Sequence, residues 1–371
     1  MVRGPGRAAE AHGRAHLVGG AALSAQARAG APWPWGTLLS PFGWLYGALA
    51  QLRVAAYRRG WKRSVRPPLP TLSIGNISVG GTGKTPLLFD AVRRLEAHGV
   101  RVGVLSRGYG GDEGRMLVER HPQALLAENP DRVAGMAQLL RLGPPEVLLL
   151  DDGFQHLRLH RDLDVVLVDA TRPFGRCLPA GMWRERPSAL ERAQLVILSR
   201  ADLVAPEARR VIWERVERAR RGAAGVPRLE GSVAVRELRH LCSGETWPAA
   251  ALRGMEAFVA CGIGNPHAFL RLLHGAGVTV QGNYFARDHH PWPEADLRRF
   301  AGHAYVLVTE KDGVKLRGRA PDNAWEVRVD WQFLRGEEHW EAALERLLLP
   351  QRAARIEPLW QAHDPHGRAV P

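Results

Sequence analysis

An apolar run over 71–75 empties into the turn Gly75-Asn76-Ile77-Ser78-Val79-Gly80-Gly81-Thr82-Gly83-Lys84-Thr85, and a helical pattern begins at Pro86. No other stretch restricts the fold as much. Glycines let successive backbone N–H groups turn towards one centre, and the following helix adds its positive end. Lys84 and Thr85 then stand where an ammonium and a hydroxyl would meet a polyphosphate and its cation. The turn predicts a nucleotide held by Ser78, Val79, Gly80, Gly81, Thr82, Gly83, Lys84 and Thr85, with Thr85 on Mg²⁺. Against the pattern G-x-x-x-x-G-K-[ST], Ser78 replaces the first glycine, so another residue must make the tight turn there.

A loop of this kind belongs to a mostly parallel sheet, and the rest of the chain supplies one. Apolar runs at 71–75, 102–106, 147–150, 164–168, 195–199, 257–261 and 305–309 alternate with helical stretches at 86–98, 130–142, 206–221, 267–274 and 337–348. Unbroken apolar strands are expected where helices cover both faces of a parallel sheet. The fold class expected is α/β and P-loop NTPase-like, with a smaller C-terminal α/β lobe and an N-terminal amphipathic helix. A composition shift over 221–254 reads as a connection or small β excursion. It divides a phosphate-loop domain, 67–225, from a lobe at 226–358; a disordered extension (1–35), an amphipathic segment (36–66) and a tail (359–371) complete the chain. Cys177, Cys242 and Cys261 are too widely spaced for a disulfide framework or a zinc site, which points to reduced thiols in the cytoplasm.

The acidic partner that a phosphate loop needs for magnesium is offered by Val147-Leu148-Leu149-Leu150-Asp151-Asp152, an apolar strand delivering carboxylates at its C-terminal end. Asp151 is the expected metal residue; capping of the next turn is the alternative use of such a pair.

Charge is concentrated at one end. Of a net +13, the first 70 residues carry +9, which implies an anionic partner, nucleic acid or membrane. The neighbouring residues favour a membrane. Ser40 reads as an N-cap and Pro41 as the first helical residue, followed by Phe42, Leu45, Tyr46, Leu49 and Leu52 at helical spacing. Arg53, Arg58, Arg59, Lys62, Arg63 and Arg66 follow, interleaved with Tyr57 and Trp61, as in a segment lying at a lipid headgroup boundary. The alternative is a helix packed on the body with a solvated basic end. Prolines 32, 34 and 41 make the stretch a poor transmembrane span. No nucleic acid and no obligate protein partner are expected.

Three phosphate-loop readings compete. Partitioning and metal-insertion ATPases would have an extra lysine where Val79 stands. Ser199-Arg200-Ala201-Asp202 is similar to the N/T-K-x-D base-reading element of GTPases, with two positions changed. The third reading covers far more of the chain. Leu105-Ser106-Arg107-Gly108-Tyr109-Gly110, Asp151-Asp152-Gly153-Phe154-Gln155-His156, Asp169-Ala170-Thr171-Arg172-Pro173-Phe174-Gly175, Leu178-Pro179-Ala180-Gly181 with Arg184-Glu185, Gly262-Ile263-Gly264-Asn265-Pro266, Asp288-His289-His290 and Thr309-Glu310-Lys311-Asp312 follow the loop in order. From 37 to about 315 the chain resembles the tetraacyldisaccharide 4'-kinase (lipid A 4'-kinase) family, whose loop also carries serine at the position of Ser78.

The resemblance implies ATP- and Mg²⁺-dependent phosphorylation of the 4'-hydroxyl of a tetraacyldisaccharide 1-phosphate by a peripheral or monotopic protein. The expected place is the cytoplasmic face of the inner membrane. It also implies a base from an Asp-Glu pair, here Asp112-Glu113 after an unusually short intervening segment, and His289 cooperating with Asp152 nearby. Asp288-His289-His290 read alone could be a metal motif, a structural cluster or a proton-handling pair, and the lack of another His/Cys/Asp cluster at ligand spacing in the sequence argues against zinc. Lys84, Asp112, Asp152 and His289 are thus the expected catalytic residues. Arg107, Tyr109, Gln155, His156, Arg172 and Arg184 lie in matched blocks and are expected at the acceptor, since arginine clamps a sugar phosphate and tyrosine covers a sugar face. Thr309-Glu310-Lys311-Asp312 is a candidate for contact with the adenine.

Overall fold

The computed structural model describes residues 37–361 except 109–110 and 222–225, with backbone alone beyond 349. The extension at 1–35 and most of the tail at 359–371 therefore lie outside the described residues, as does Tyr109. The strands are β1 (Thr71–Asn76), β2 (Val102–Ser106), β3 (Leu125–Glu128), β4 (Val147–Asp151), β5 (Leu163–Asp169), β6 (Leu195–Ser199), β7 (Leu229–His240), β8 (Thr246–Pro248), β9 (Glu256–Cys261), β10 (Thr279–Phe285), β11 (Val306–Thr309) and β12 (Ala324–Arg335). They form one sheet in the order β10-β9-β11-β12-β7-β6-β5-β1-β4-β2-β3, with β8 paired to β7. The helices are α1 (Ser40–Arg58), α2 (Lys84–Ala97), α3 (Asp112–Arg120), α4 (Arg132–Leu142), α5 (Pro206–Ala219), α6 (Pro266–Gly275), α7 (Glu294–Leu297), α8 (Glu310–Leu316) and α9 (Glu337–Gln361).

All seven apolar runs are strands. Those absent from the sequence reading lack an apolar run for physical reasons. β3 and β10 are the sheet's edges, and β10 alternates exposed and half-buried positions. β7 and β12 pair antiparallel over most of their length and carry charges that neutralise each other across the ladder, such as Arg328 on Glu237 and Arg239 on Glu326. Through this pair the parallel strands β6 and β11 belong to one continuous sheet.

The centre is β1, β4 and β5, buried at every position. One face packs Leu72, Ile74, Leu149 and Val165 against Leu87, Val92 and Leu95 of α2 and Trp340 of α9. The other packs Val166, Val168, Val196 and Leu198 against Ile212, Trp213 and Val216 of α5. Trp340 Nε1 donates to Asp90 at 2.9 Å, anchoring α9 to α2. Gly75 is required where β1 ends: a Cβ there would stand 2.7 Å from the Phe154 Cβ. The phosphate loop therefore crosses directly over the turn that follows β4.

Helix α1 starts at Ser40, so its N-cap is Leu39 rather than Ser40; Pro41 occupies the first turn as expected. Its buried residues are Gly43 and Gly47, which lie against Ala180, Cys177 and Arg186. Glycines on the docking side let the helix approach closely while Phe42, Trp44, Leu49 and Leu52 remain 56–68% exposed. The helix both packs on the body and keeps an apolar face outward.

Candidate active site

The loop at 76–84 is braced from below. Asn76 Nδ2 donates to Thr82 Oγ1 at 3.1 Å, the Val79 N–H donates to the Met182 carbonyl at 2.7 Å, and Arg184 N–H to that of Ile77 at 2.8 Å. The N–H of Val79 is thus committed to Met182, leaving the glycines and the start of α2 to face a triphosphate. Gly80 and Gly83 have φ of 107° and 89°, conformations open to glycine, and α2 begins at Lys84 with its first N–H groups at the loop.

Lys84 Nζ stands 3.6 Å from Asp152 Oδ1, and Arg184 Nη1 donates to Asp152 Oδ2 at 2.6 Å. Asp152 has φ 51°, a left-handed conformation that turns its side chain back over the loop. Burial acts to raise the Asp152 carboxyl, but Lys84 and Arg184 outweigh it and hold it below the ordinary value. Its neighbour behaves oppositely. Burial and the Glu113 carboxylate push Asp151 up to about 7, against the pull of Lys84 and Arg132. Adjacent carboxyls driven apart in this way serve different purposes.

Asp151 Oδ1 is buried without a hydrogen-bond partner, and Thr85 Oγ1 donates to Glu113 Oε1 at 3.4 Å. An orphaned carboxylate oxygen, a second carboxylate and a hydroxyl make an all-oxygen donor set suited to a hard divalent cation. Glu113 has no role in the sequence reading beyond marking the pair; its proximity to Thr85 and Asp151 arises only when α3 folds across the end of β4.

Asp112, the first residue of α3, is 4% exposed. Its Oδ2 lies 3.0 Å from His289 Nδ1 and 2.9 Å from Lys315 Nζ. Here the expected pairing changes: His289 meets Asp112, while Asp152 belongs to Lys84 and Arg184. Lys311 Nζ is 3.3 Å from His289 Nε2 and 3.0 Å from Asp288 Oδ1. Because an ammonium only donates, the contact makes Nε2 the acceptor and leaves the proton on Nδ1, facing Asp112. His289 itself has φ 61°.

The segment around Asp312 shapes this corner from inside. The carboxylate of Asp312, 0% exposed, accepts from Trp292 Nε1 at 2.9 Å, Gly262 N–H at 2.9 Å and Thr309 Oγ1 at 2.6 Å. Glu310 accepts from Nε and Nη2 of Arg120, each at 2.6 Å. Thr309, Glu310 and Asp312 are engaged in holding α8, which presents Lys311, a member of the block considered for the adenine, beside His289, and Lys315, a functional candidate that the sequence pattern did not single out.

Of the residues expected at the acceptor, His156, Arg107 and Arg184 gather beside Asp152. Burial, reinforced by Arg132, Arg53 and Arg107, lowers His156 to about 4, with Asp152 opposing. The imidazole is neutral at working pH among three guanidinium groups. Gln155 turns inward, donating to Asn76 O at 2.9 Å and Glu185 Oε1 at 3.1 Å, so it supports the loop. Arg172 is exposed on the turn after β5 and makes none of the contacts that join Asp152, Gln155 and Arg184. Buried Arg132, bonded to the carbonyls of Asn129 and Asp151, is an addition to the cationic group.

The lowered His156 has a measurable consequence. Its folded pKa lies below the ordinary 6.5, so the unfolded chain binds the extra proton between about 6.5 and 4. The stability that depends on the neutral ring is complete above that window and lost as pH falls through it. His156→Gln should flatten the acid side of a melting-temperature profile between those pH values; an unchanged slope would contradict the assignment.

The family profile described as Tetraacyldisaccharide-1-P 4'-kinase matches residues 35–112 and 110–349, the two stretches meeting at the short segment before Asp112. A protein of Anaeromyxobacter sp. (strain K) named Tetraacyldisaccharide 4'-kinase is 38% identical over 337 residues, 82% of this chain and 88% of its own. One of the same name from Haemophilus influenzae (strain 86-028NP) is 32% identical over 324 residues, 82% and 91% of the two chains. LpxK from Aquifex aeolicus, solved in complex with ATP, superposes with a TM-score of 0.68 at 27% identity, over 84% of this chain and 99% of that one.

Proposed function

The chain belongs to the tetraacyldisaccharide 4'-kinase family, and from that premise we propose how its residues divide the work. It is an ATP-dependent kinase that phosphorylates the 4'-hydroxyl of a tetraacyldisaccharide 1-phosphate in lipid A biosynthesis. In our reading the loop 78–85 wraps the triphosphate, and Lys84 neutralises charge on the transferred phosphoryl group. Thr85, Asp151 and Glu113 would hold Mg²⁺, which when bound would supply charge screening for the phosphate oxygens. Asp112 accepts the proton of the attacking hydroxyl, oriented by the Nδ1–H of His289 and by Lys315. Asp152 keeps Lys84 and Arg184 in place. Arg107, His156 and Arg184, with Arg132, form the polar wall for the sugar phosphate; Tyr109 and Arg172 are kept as further acceptor contacts on the strength of their matched blocks alone.

The Thr85 to Glu113 contact carries this reading. It ties the triphosphate loop to the first turn of α3, whose first residue is Asp112, so metal, nucleotide and base converge at one sheet edge. The test is transfer of labelled γ-phosphate to the disaccharide 1-phosphate in the presence of Mg²⁺. Nucleotide hydrolysis without transfer would favour a membrane-associated ATPase instead.

The acceptor is held in a bilayer by its acyl chains at roughly 0.8 kcal/mol per buried CH₂, so the enzyme must come to it. Among the described residues no helix is long and apolar enough to cross a membrane. The outward face of α1 supports a peripheral attachment on the cytoplasmic side of the inner membrane. Arg186 links this face to the site: it lies 5.2 Å from the Trp44 ring centroid and donates to the Trp44 carbonyl, two residues from Arg184. Replacing Phe42, Leu45 and Leu49 together with glutamate should cut sedimentation with anionic vesicles about tenfold or more while ATP binding persists. Unchanged sedimentation would refute the attachment.

A further inference from the structure

Asp112 and the lysines beside it come from distant parts of the sheet. Asp112 opens α3, which follows β2, whereas Lys311 and Lys315 stand on α8, which follows β11; β12, β7, β6, β5, β1 and β4 lie between those two strands. Something has to set how closely α8 approaches α3. With seven residues, α8 is too short to hold a position by itself. Its start is capped by Thr309, whose hydroxyl accepts from the Asp312 N–H, and the Asp312 carboxylate is held by Gly262 and Trp292. That cap fixes the helix to its own lobe, not to α3.

Glu310 makes the crossing contact. Its Oε1 accepts from Nε and its Oε2 from Nη2 of Arg120, the last residue of α3, and both side chains are 4% exposed. Arg120 is fixed from three further directions. Its Nη1 donates to Asp330 at 2.6 Å, its Nη2 to the Val329 carbonyl at 3.0 Å, and the guanidinium lies 5.4 Å from the Phe89 ring of α2, the helix that begins at Lys84. Just past the other end of α8, Arg317 Nη1 pairs with Glu119 at 2.5 Å. Consecutive residues of α3, one acidic and one basic, thus grip α8 at both ends. A buried ion pair adds little net stability, because desolvation offsets its attraction, and its best-attested use is to fix register. The register at stake here is that of Lys315 against Asp112.

We propose that Glu310 is a positioning residue for Asp112: gripped by Arg120, it sets the depth at which α8 docks on α3 and so keeps Lys315, and His289 through Lys311, within reach of the base. This rests on the reading of Asp112 as the group that accepts the hydroxyl proton.

The experiment measures labelled γ-phosphate transfer at saturating substrates for the full chain, Glu310→Ala, Glu310→Gln, Asp112→Asn and the double variant Asp112→Asn/Glu310→Ala, with a melting curve and an ATP dissociation constant for each. Without Glu310, Arg120 keeps Asp330 and Arg328 keeps Glu326 and Glu237, so no cation is orphaned and the variant should fold. Glu310→Ala should lower kcat by about 10²-fold, the loss associated with misplacing a reacting group by about 1 Å. ATP affinity should hold, because Glu113 stays on Thr85. Glu310→Gln keeps an oxygen facing Arg120 and should recover most of the loss. In the Asp112→Asn background the alanine substitution should lower the rate by less than about threefold, since a group that acts through the base then has nothing to act on. An equal loss in both backgrounds overturns the proposal, as do an unchanged kcat in Glu310→Ala, a loss confined to ATP affinity, or a Glu310→Gln enzyme as slow as the alanine variant. Should Glu310→Ala melt below the assay temperature, the same cycle with Arg120→Lys, which keeps the charge but not the two-pronged contact, decides by the same outcomes. A full-rate Asp112→Asn enzyme defeats the reading of Asp112 as the base and the proposal with it; a slow one with additive losses defeats the proposal alone.

Discussion

Asp112→Asn should lower the rate of phosphoryl transfer at saturating substrates by about 10²–10⁴-fold, the range associated with loss of a positioned general base. The substitution keeps the volume and an oxygen able to accept from His289 Nδ1, so the geometry of the corner is preserved while proton acceptance is removed. ATP affinity should change little, because in the proposed site the loop and Thr85 hold the triphosphate, and the Thr85 partner Glu113 is untouched. Lys315 loses its ionic partner at 2.9 Å but retains Asp312 at 4.0 Å, so the assay belongs with a melting curve. Removing one member of a buried pair can cost about 3–5 kcal/mol. A folded variant that transfers phosphate at more than a tenth of the original rate would mean that another group takes the proton.

Lys84→Met should reduce kcat by about 10²–10³-fold, comparable with removal of one preorganised donor facing developing charge. The ammonium is 16% exposed and 3.6 Å from Asp152, so its charge acts in a partly dry setting where it is poorly replaced by water. Two effects add. The phosphoryl oxygens lose their counter-charge, and Asp152 keeps only Arg184, which then is free to follow the carboxylate away from the loop. Lys84→Arg should not restore the rate, since a planar fork cannot occupy the position of a compact ammonium between loop and carboxylate. Single-turnover measurements separate chemistry from binding. A loss confined to ATP affinity, with the chemical step intact, would remove Lys84 from the transition state.

Much of the nucleotide half was legible because its chemistry is local. Glycines, lysine and threonine within 75–85 must be close in space whatever the rest of the chain does, and Asp151 ends an apolar run that has few alternatives to a central strand. The acceptor half was less legible. His289 was expected to meet Asp152 and instead meets Asp112, 177 positions away in sequence. Glu113 and Lys315 carry no pattern of their own: each is an ordinary charged residue on a helix until α3 and α8 converge, and Lys311, in a block considered for the adenine, lies against His289. Gln155 looked like a ligand residue and is occupied in bracing Asn76 and Glu185.

The amino-acid order alone determined that a strand, a glycine turn and a helix would form a phosphate cradle, that other apolar runs would join it in a parallel sheet, and that a basic, aromatic helix would precede it. These are consequences of short-range sterics and of hydrophobic spacing, which act over a few residues. Only the tertiary structure decided which carboxylate faces which cation, where α1 lies, and that β7 and β12 carry the sheet across to β11. Those outcomes depend on long-range packing and on desolvation: Asp151 and Asp152 are identical and adjacent in the chain, yet burial beside Glu113 raises one while Lys84 and Arg184 lower the other.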